Sequence, residues 1–218
     1  MVDSIRFARY YEKGSLYDYD MSQMSILIKD EQNKKVIANI LYHRFYDRYL
    51  KLFFYNSSIK ASYSKKEKTE IRNQFNTEFK SGFIIMANSC LVIELISNFL
   101  SGVDKTKKSG GKTFEFVFKK AKEYNNSLNQ FSEQPIYGKV RNGLLHQGET
   151  YGKFRITRDS KAELFNKNER TINATLFVKA LKAFLKSYKK ELECEDWNSE
   201  IWKNCRTKIE YIIKNSSK

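Results

Sequence analysis

A single proline and nine glycines in 218 residues leave too few breakers for a sandwich or barrel of many short strands. What they permit is a small set of long helices. Three cysteines, Cys90, Cys194 and Cys205, form an odd set without C-x-x-C spacing. Neither a disulfide framework nor a zinc knuckle is indicated, and a reducing cytoplasm fits best. The first residues, M-V-D-S-I-R-F-A-R-Y-Y-E-K, contain no uninterrupted apolar stretch, so no signal peptide is expected. The most apolar run, residues 82–100, is broken by Asn88, Ser89, Glu94, Ser97 and Asn98, which suits a buried helix rather than a membrane span. Histidine is scarcest of the reactive residues, with only His43 and His146.

What is abundant is positive charge. The 40 Lys+Arg against 25 Asp+Glu give a net charge of +15, a strong attraction for polyanions and above all for nucleic acid. A lysine-rich composition that serves solubility alone is the plainer alternative.

Residues 1–20 show no firm period and read as a loosely structured lead-in. From about Ser22, apolar residues including Met24, Leu27, Ile28, Ile37, Ile40, Leu41 and Phe45 recur at helical spacing. Residues 56–64 form a breaker cluster. Ser64 with Glu67 makes a capping box, predicting one helix from there to about Leu100, its apolar second half at the centre of a bundle. Glu94 is alone in that half. An ionised carboxylate buried alone costs several kcal/mol, so Glu94 is protonated, exposed in a notch on the bundle surface, or paired with a cation, an arginine of the motif helix being the functional choice.

Residues 101–112 read as a flexible basic loop, whose G-G-K-T lacks the strand-loop-helix setting of a phosphate-binding loop. A short helix over 113–125 follows. Residues 149–160 switch to period two and predict a strand, with 169–172 as its partner in a small hairpin. Asn173 then caps a helix to about Leu192, and Asp196 opens the last one. The fold class expected is all-α: an antiparallel helical bundle with a small β-hairpin. An N-terminal helical segment, 1–62, packs on a main domain, 63–218.

The densest chemistry lies in residues 135–150, P-I-Y-G-K-V-R-N-G-L-L-H-Q-G-E-T. At about 100° per residue, Arg141, Asn142, His146 and Glu149 fall on one side of a helix begun by Pro135, with Tyr137, Val140, Leu144 and Gly148 toward the core. Leu145 falls among the polar groups, as it would if a second subunit covered that side. Gly143 makes sense if another backbone comes close or the helix bends. Histidine near neutrality serves as acid or base, arginine grips a phosphate in a fork, and asparagine orients either. That is the equipment for cutting RNA through its own 2′-hydroxyl. One chain brings one motif histidine; a two-fold dimer brings two.

The segment V-R-N-G-L-L-H-Q-G-E resembles the signature of the HEPN family, an arginine, a polar residue that is often asparagine, and a histidine shortly after, on a late helix of a helical bundle. Arg141, Asn142 and His146 match it residue by residue. The run C-L-V-I-E-L-I-S-N-F-L is similar to the leucine-rich helix with one acidic residue that precedes the motif in such proteins. The resemblance spans roughly residues 75–192 and leaves 1–60 unexplained. It implies a homodimer with facing motif helices and metal-independent endoribonuclease activity at the interface, without cofactor, often in toxin-antitoxin or phage-defence systems with an antitoxin or regulatory partner. Some members are inactive RNA- or partner-binding modules. No tyrosine lies two residues after His146, so nucleotidylation there is not expected. On this reading Arg141, Asn142 and His146 are catalytic, Glu149 and Glu94 support them, and Lys139, Lys153 and Arg155 contact RNA.

Overall fold

The computed structural model describes residues 5–54, 63–78, 81–104 and 110–216. It opens not on a loose lead-in but on a hairpin of β1 (Arg6–Glu12) and β2 (Ser15–Asp20). The two-residue turn Lys13-Gly14 has positive φ at both positions, as a tight hairpin of this twist requires. The period was illegible because the register slips between Arg6 and Ala8, which puts the adjacent Phe7 and Ala8 both inside. Asp20 then caps α1 (Met21–Leu27): its carboxylate accepts from Gln23 N at 2.8 Å and the Gln23 side chain accepts from Asp20 N at 2.9 Å.

The expected helical pattern becomes α1 and α2 (Lys34–Phe45), the latter running into a π-helical turn, Tyr46–Leu50. Helix α2 packs on the hairpin and on a later helix. Residues 55–62, most of the expected breaker cluster, lie outside the described residues. Ser64 and Glu67 form the expected capping box, Ser64 N to the Glu67 carboxylate at 2.8 Å and Glu67 N to Ser64 Oγ at 3.3 Å. The single helix expected from there is two, α3 (Lys65–Glu78) and α4 (Gly82–Ser101), the second capped by Ser81. Serine ahead of an uncharged apolar helix is itself a start signal.

Helix α4 is the central one, in contact with α5 (Gly110–Glu123) and with both helices that close the chain. By length and composition it could cross a membrane; 61% of its most apolar window is buried inside the fold. Gly110–Lys112 belong to α5 rather than to a loop, and 105–109 lie outside the described residues. A Cβ on Gly110 would lie 2.0 Å from the Tyr137 ring, so this glycine exists to let an aromatic ring pack on its backbone.

The motif segment contributes the short α6 (Asn142–Gln147). After it come β3 (Arg155–Thr157), β4 (Phe165–Asn166) and β5 (Thr171–Asn173), in the order β3-β5-β4. The partner expected for the first strand is the right one, but β3 and β5 run parallel, Arg155 opposite Thr171. The antiparallel pair is β4 with β5. This is a three-stranded mixed sheet and not a hairpin, because β4 intervenes in sequence and the chain reverses twice before β5. Asn173 caps α7 (Ala174–Cys194) through Leu176 N at 3.1 Å and ties down the preceding loop by donating to the Asp159 and Ala162 carbonyls. Asp196 holds a turn, and α8 (Glu200–Ser216) starts after it. The described fold is thus mostly helical, with eight α-helices, two small sheets and one continuous apolar core from Phe7 to Ile209.

Candidate active site around Arg141 and His146

The motif helix is not a regular α-helix. Tyr137–Arg141 forms a π-helical turn, with Asn142 N–H bonding back to the Tyr137 carbonyl, and only α6 beyond it is α-helical. Such one-residue insertions cost helical regularity and collect at functional sites. This one frees the Lys139 carbonyl, which accepts from Tyr151 N at 2.7 Å. Gly148, in the left-handed conformation at φ 73, ends the helix and lets the chain fold back along it. Gly143 is where the two backbones meet: a Cβ there would lie 2.3 Å from the Glu149 carbonyl oxygen. The close backbone approach expected at this glycine therefore comes from the same chain.

Arg141 is clamped from three sides. Its Nε donates to Glu94 Oε1 of α4 at 2.7 Å, its Nη1 to Asn142 Oδ1 at 3.1 Å, and its guanidinium lies 5.2 Å from the centroid of the Tyr137 ring. Tyr137 is in turn set edge-on to Phe114 and seated on Gly110. So Glu94 is no empty notch: the lone acid of the apolar helix pairs with the motif arginine. Of the five guanidinium N–H groups, two are used in this clamp and three remain for a ligand. The Glu94–Arg141 pair is part-buried, with about a fifth of each side chain exposed, so removing either partner would leave the other charge part-buried and unpaired.

His146 is an exposed residue of α6 and has no hydrogen-bond partner among the described residues. Beside it Leu145 is 53% exposed. Glu149 departs from its expected place on the polar side of the helix: α6 ends before it, and its carboxylate accepts from Thr150 N at 2.9 Å, not from Arg141 or His146. Gly148, expected toward the core, is an exposed cap. Val140 and Leu144 do face the core. One turn before Glu94 lies Cys90, fully buried; burial and then the Glu94 charge push its thiol up to about 12 against a smaller opposing pull from Arg141, which keeps it protonated.

The three residues expected to contact RNA are all exposed, and two of them share one surface. Lys153 and Arg155 line an open groove of about 550 Å³, together with Arg170, which no motif or period singles out. Lys139 reaches toward it by laying its side chain over Gly152. Arg170 sits there because β5 is parallel to β3, which brings the residue before β5 beside the loop before β3. An antiparallel hairpin would have carried it to the opposite end of the sheet. Among the described residues, no group of three or more His, Cys, Asp or Glu side chains is placed to hold a metal ion.

Helix α4 adds an apolar strip. Ile84 and Leu91 are 61% and 45% exposed, and on helical spacing they continue into Glu94 and Leu95. Compared with family models, with curated proteins and with solved structures, the chain matches none.

Proposed function

We propose that the chain is a HEPN-type endoribonuclease, acting as a homodimer with the two motif helices facing each other. The observation that carries this is the clamp on Arg141. Glu94 and Asn142 fix the guanidinium while leaving three of its N–H groups to offer, five residues before an exposed and unpartnered His146.

In the cleavage, a histidine takes the proton of the ribose 2′-hydroxyl and the 2′-oxygen forms a bond to phosphorus. The bond from phosphorus to the 5′-oxygen breaks, and a second protonated histidine returns a proton to that oxygen. The products are a cyclic phosphate and a 5′-hydroxyl. His146 of each subunit supplies one of these roles, and Arg141 neutralises the charge that builds on the phosphate. The net charge of +15 draws the RNA in. The exposed Ile84, Leu91 and Leu145 supply apolar area for the dimer.

A second reading is supported by the fact that His146 lacks any orienting hydrogen bond among the described residues: a catalytically inactive RNA- or partner-binding helical module. Incubation of the purified protein with labelled tRNA and mRNA, with magnesium or with EDTA, separates the two. Cleavage in EDTA that is lost in His146→Ala and in Arg141→Ala, with unchanged helical circular dichroism, is the expected result. Binding without turnover in the unaltered protein supports the second reading.

A further inference from the structure

The groove beside the motif is built with more care than RNA attraction in general requires. Lys153, Arg155 and Arg170 line it, against the single carboxylate of Glu169, and among the described residues none of these four takes part in an ion pair. Two of the cations sit on backbone that disfavours any side chain: Lys153 at φ 63 and Arg170 at φ 53. Glycine would relax both positions, so the long basic side chains stand there against local backbone preference.

Hydrogen bonds fix the walls. Arg170 Nη1 donates to the Gly152 carbonyl at 2.8 Å, and Arg155 N to the Arg170 carbonyl at 3.0 Å. The Tyr151 N–H to Lys139 carbonyl bond then ties this frame to the π turn that ends in Arg141. The groove and the motif arginine are therefore held in one fixed relation by the backbone itself.

We infer that this groove seats a backbone phosphate of single-stranded RNA next to, but not at, the scissile position. The assignment of a scissile position rests on the ribonuclease reading above. The RNA is held at two points, Arg141 gripping the reacting phosphate and Lys153, Arg155 and Arg170 a neighbouring one. Arginine forks match phosphate oxygens in pairs, and a lysine adds a mobile point charge. Contacts to phosphate carry no base identity, so these three cations contribute grip and register rather than sequence choice.

The test uses the full chain carrying His146→Ala, so that a fluorescein-labelled single-stranded RNA oligonucleotide stays intact during anisotropy titrations at several salt concentrations. Adding Lys153→Gly removes one charge while relaxing its backbone: melting temperature is expected to hold or rise while affinity falls several-fold. Adding Arg155→Ala as well is expected to weaken binding at least tenfold. The slope of log affinity against log salt should flatten by about 0.7 for each phosphate charge that is no longer neutralised. Affinity and slope unchanged in that double variant overturn the inference. With His146 restored, the double variant should raise KM more than it lowers kcat; a fall in kcat alone overturns it too. The two readings fail separately. Absent cleavage with weakened affinity in the groove variants sinks the ribonuclease and leaves the phosphate seat, whereas cleavage with affinity unchanged does the reverse.

Discussion

The two histidines of this chain both neighbour a π-helical turn, and everything else about them differs. His43 lies just before the turn Tyr46–Leu50, its ring stacked flat on Tyr10 at 4.0 Å, its Nδ1 2.6 Å from Asp47 and its Nε2 3.9 Å from Glu12. Its side chain is 13% exposed. Asn39 completes the cluster by donating to Tyr10 and Glu12 while accepting from Lys189. The polar atoms there hold the hairpin β1–β2 to α2 and α7. His146 follows the turn Tyr137–Arg141 and is bound to nothing among the described residues. In that region the hydrogen bonds converge five residues earlier, on Arg141. The same side chain is used as a rivet in one place and left free in the other, and on the proposed ribonuclease reading it is the free one that does the chemistry.

The largest effect that tests this contrast is on turnover. His146→Ala should lower RNA cleavage by about 10²–10⁴-fold with no change in melting temperature. His43→Ala should show the converse, activity retained and stability reduced by about 1–3 kcal/mol in denaturant titration. If both variants lose activity equally, the distinction fails. Next in size is the dimer. Leu91→Glu places a charge on the apolar strip of α4, and light scattering should find monomers that no longer cleave RNA, while His146→Ala remains dimeric.

Smaller is Gly143→Ala. Its new methyl meets the Glu149 carbonyl at 2.3 Å, so the returning loop must shift. The expected cost is about 1–3 kcal/mol, with reduced cleavage because the loop is bonded to the π turn beside Arg141. Urea titration alongside a cleavage assay measures both.

The smallest is a pH effect at the His43 cluster. Burial alone would raise the Asp47 pKa, but hydrogen bonds from His43 and Lys51 outweigh it and hold the carboxyl below its ordinary value. A folded pKa lower than the unfolded one gives stability that is present above about pH 4 and lost as pH falls through the folded value. Thermal melts between about pH 5 and 2.5 should therefore fall less steeply for Asp47→Asn than for the unaltered chain. An equal slope shows that the pair carries no linkage.

The helices were legible because their signals are local. Ser64 with Glu67, and Asn173 ahead of an amphipathic run, act within four residues, and both caps form. The lone acid in α4 could be singled out because burial demands a counter-charge, and Arg141 supplies it. The features that stayed hidden depend on partners far along the chain. The slip that buries Phe7 and Ala8 together conceals the period of β1, and the parallel pairing of β3 with β5, which brings Arg170 to the groove, leaves no trace in either strand. The π turn was hidden as well, since one extra residue in a helical turn looks like ordinary spacing until its backbone partner at Tyr151 is seen. That turn and the early end of α6 are why Glu149 falls off the face where a regular helix would place it.

One consequence of Gly143 concerns direction. The chain's own returning backbone fills the space against that glycine, so this flank of the motif helix is closed from within. Leu145 and His146, both exposed, lie outside that closed flank. Under the proposed dimer, that exposed side is the part of the helix left for a second subunit to meet, and a small molecule seated over Leu145 and His146 would compete with pairing and with RNA together.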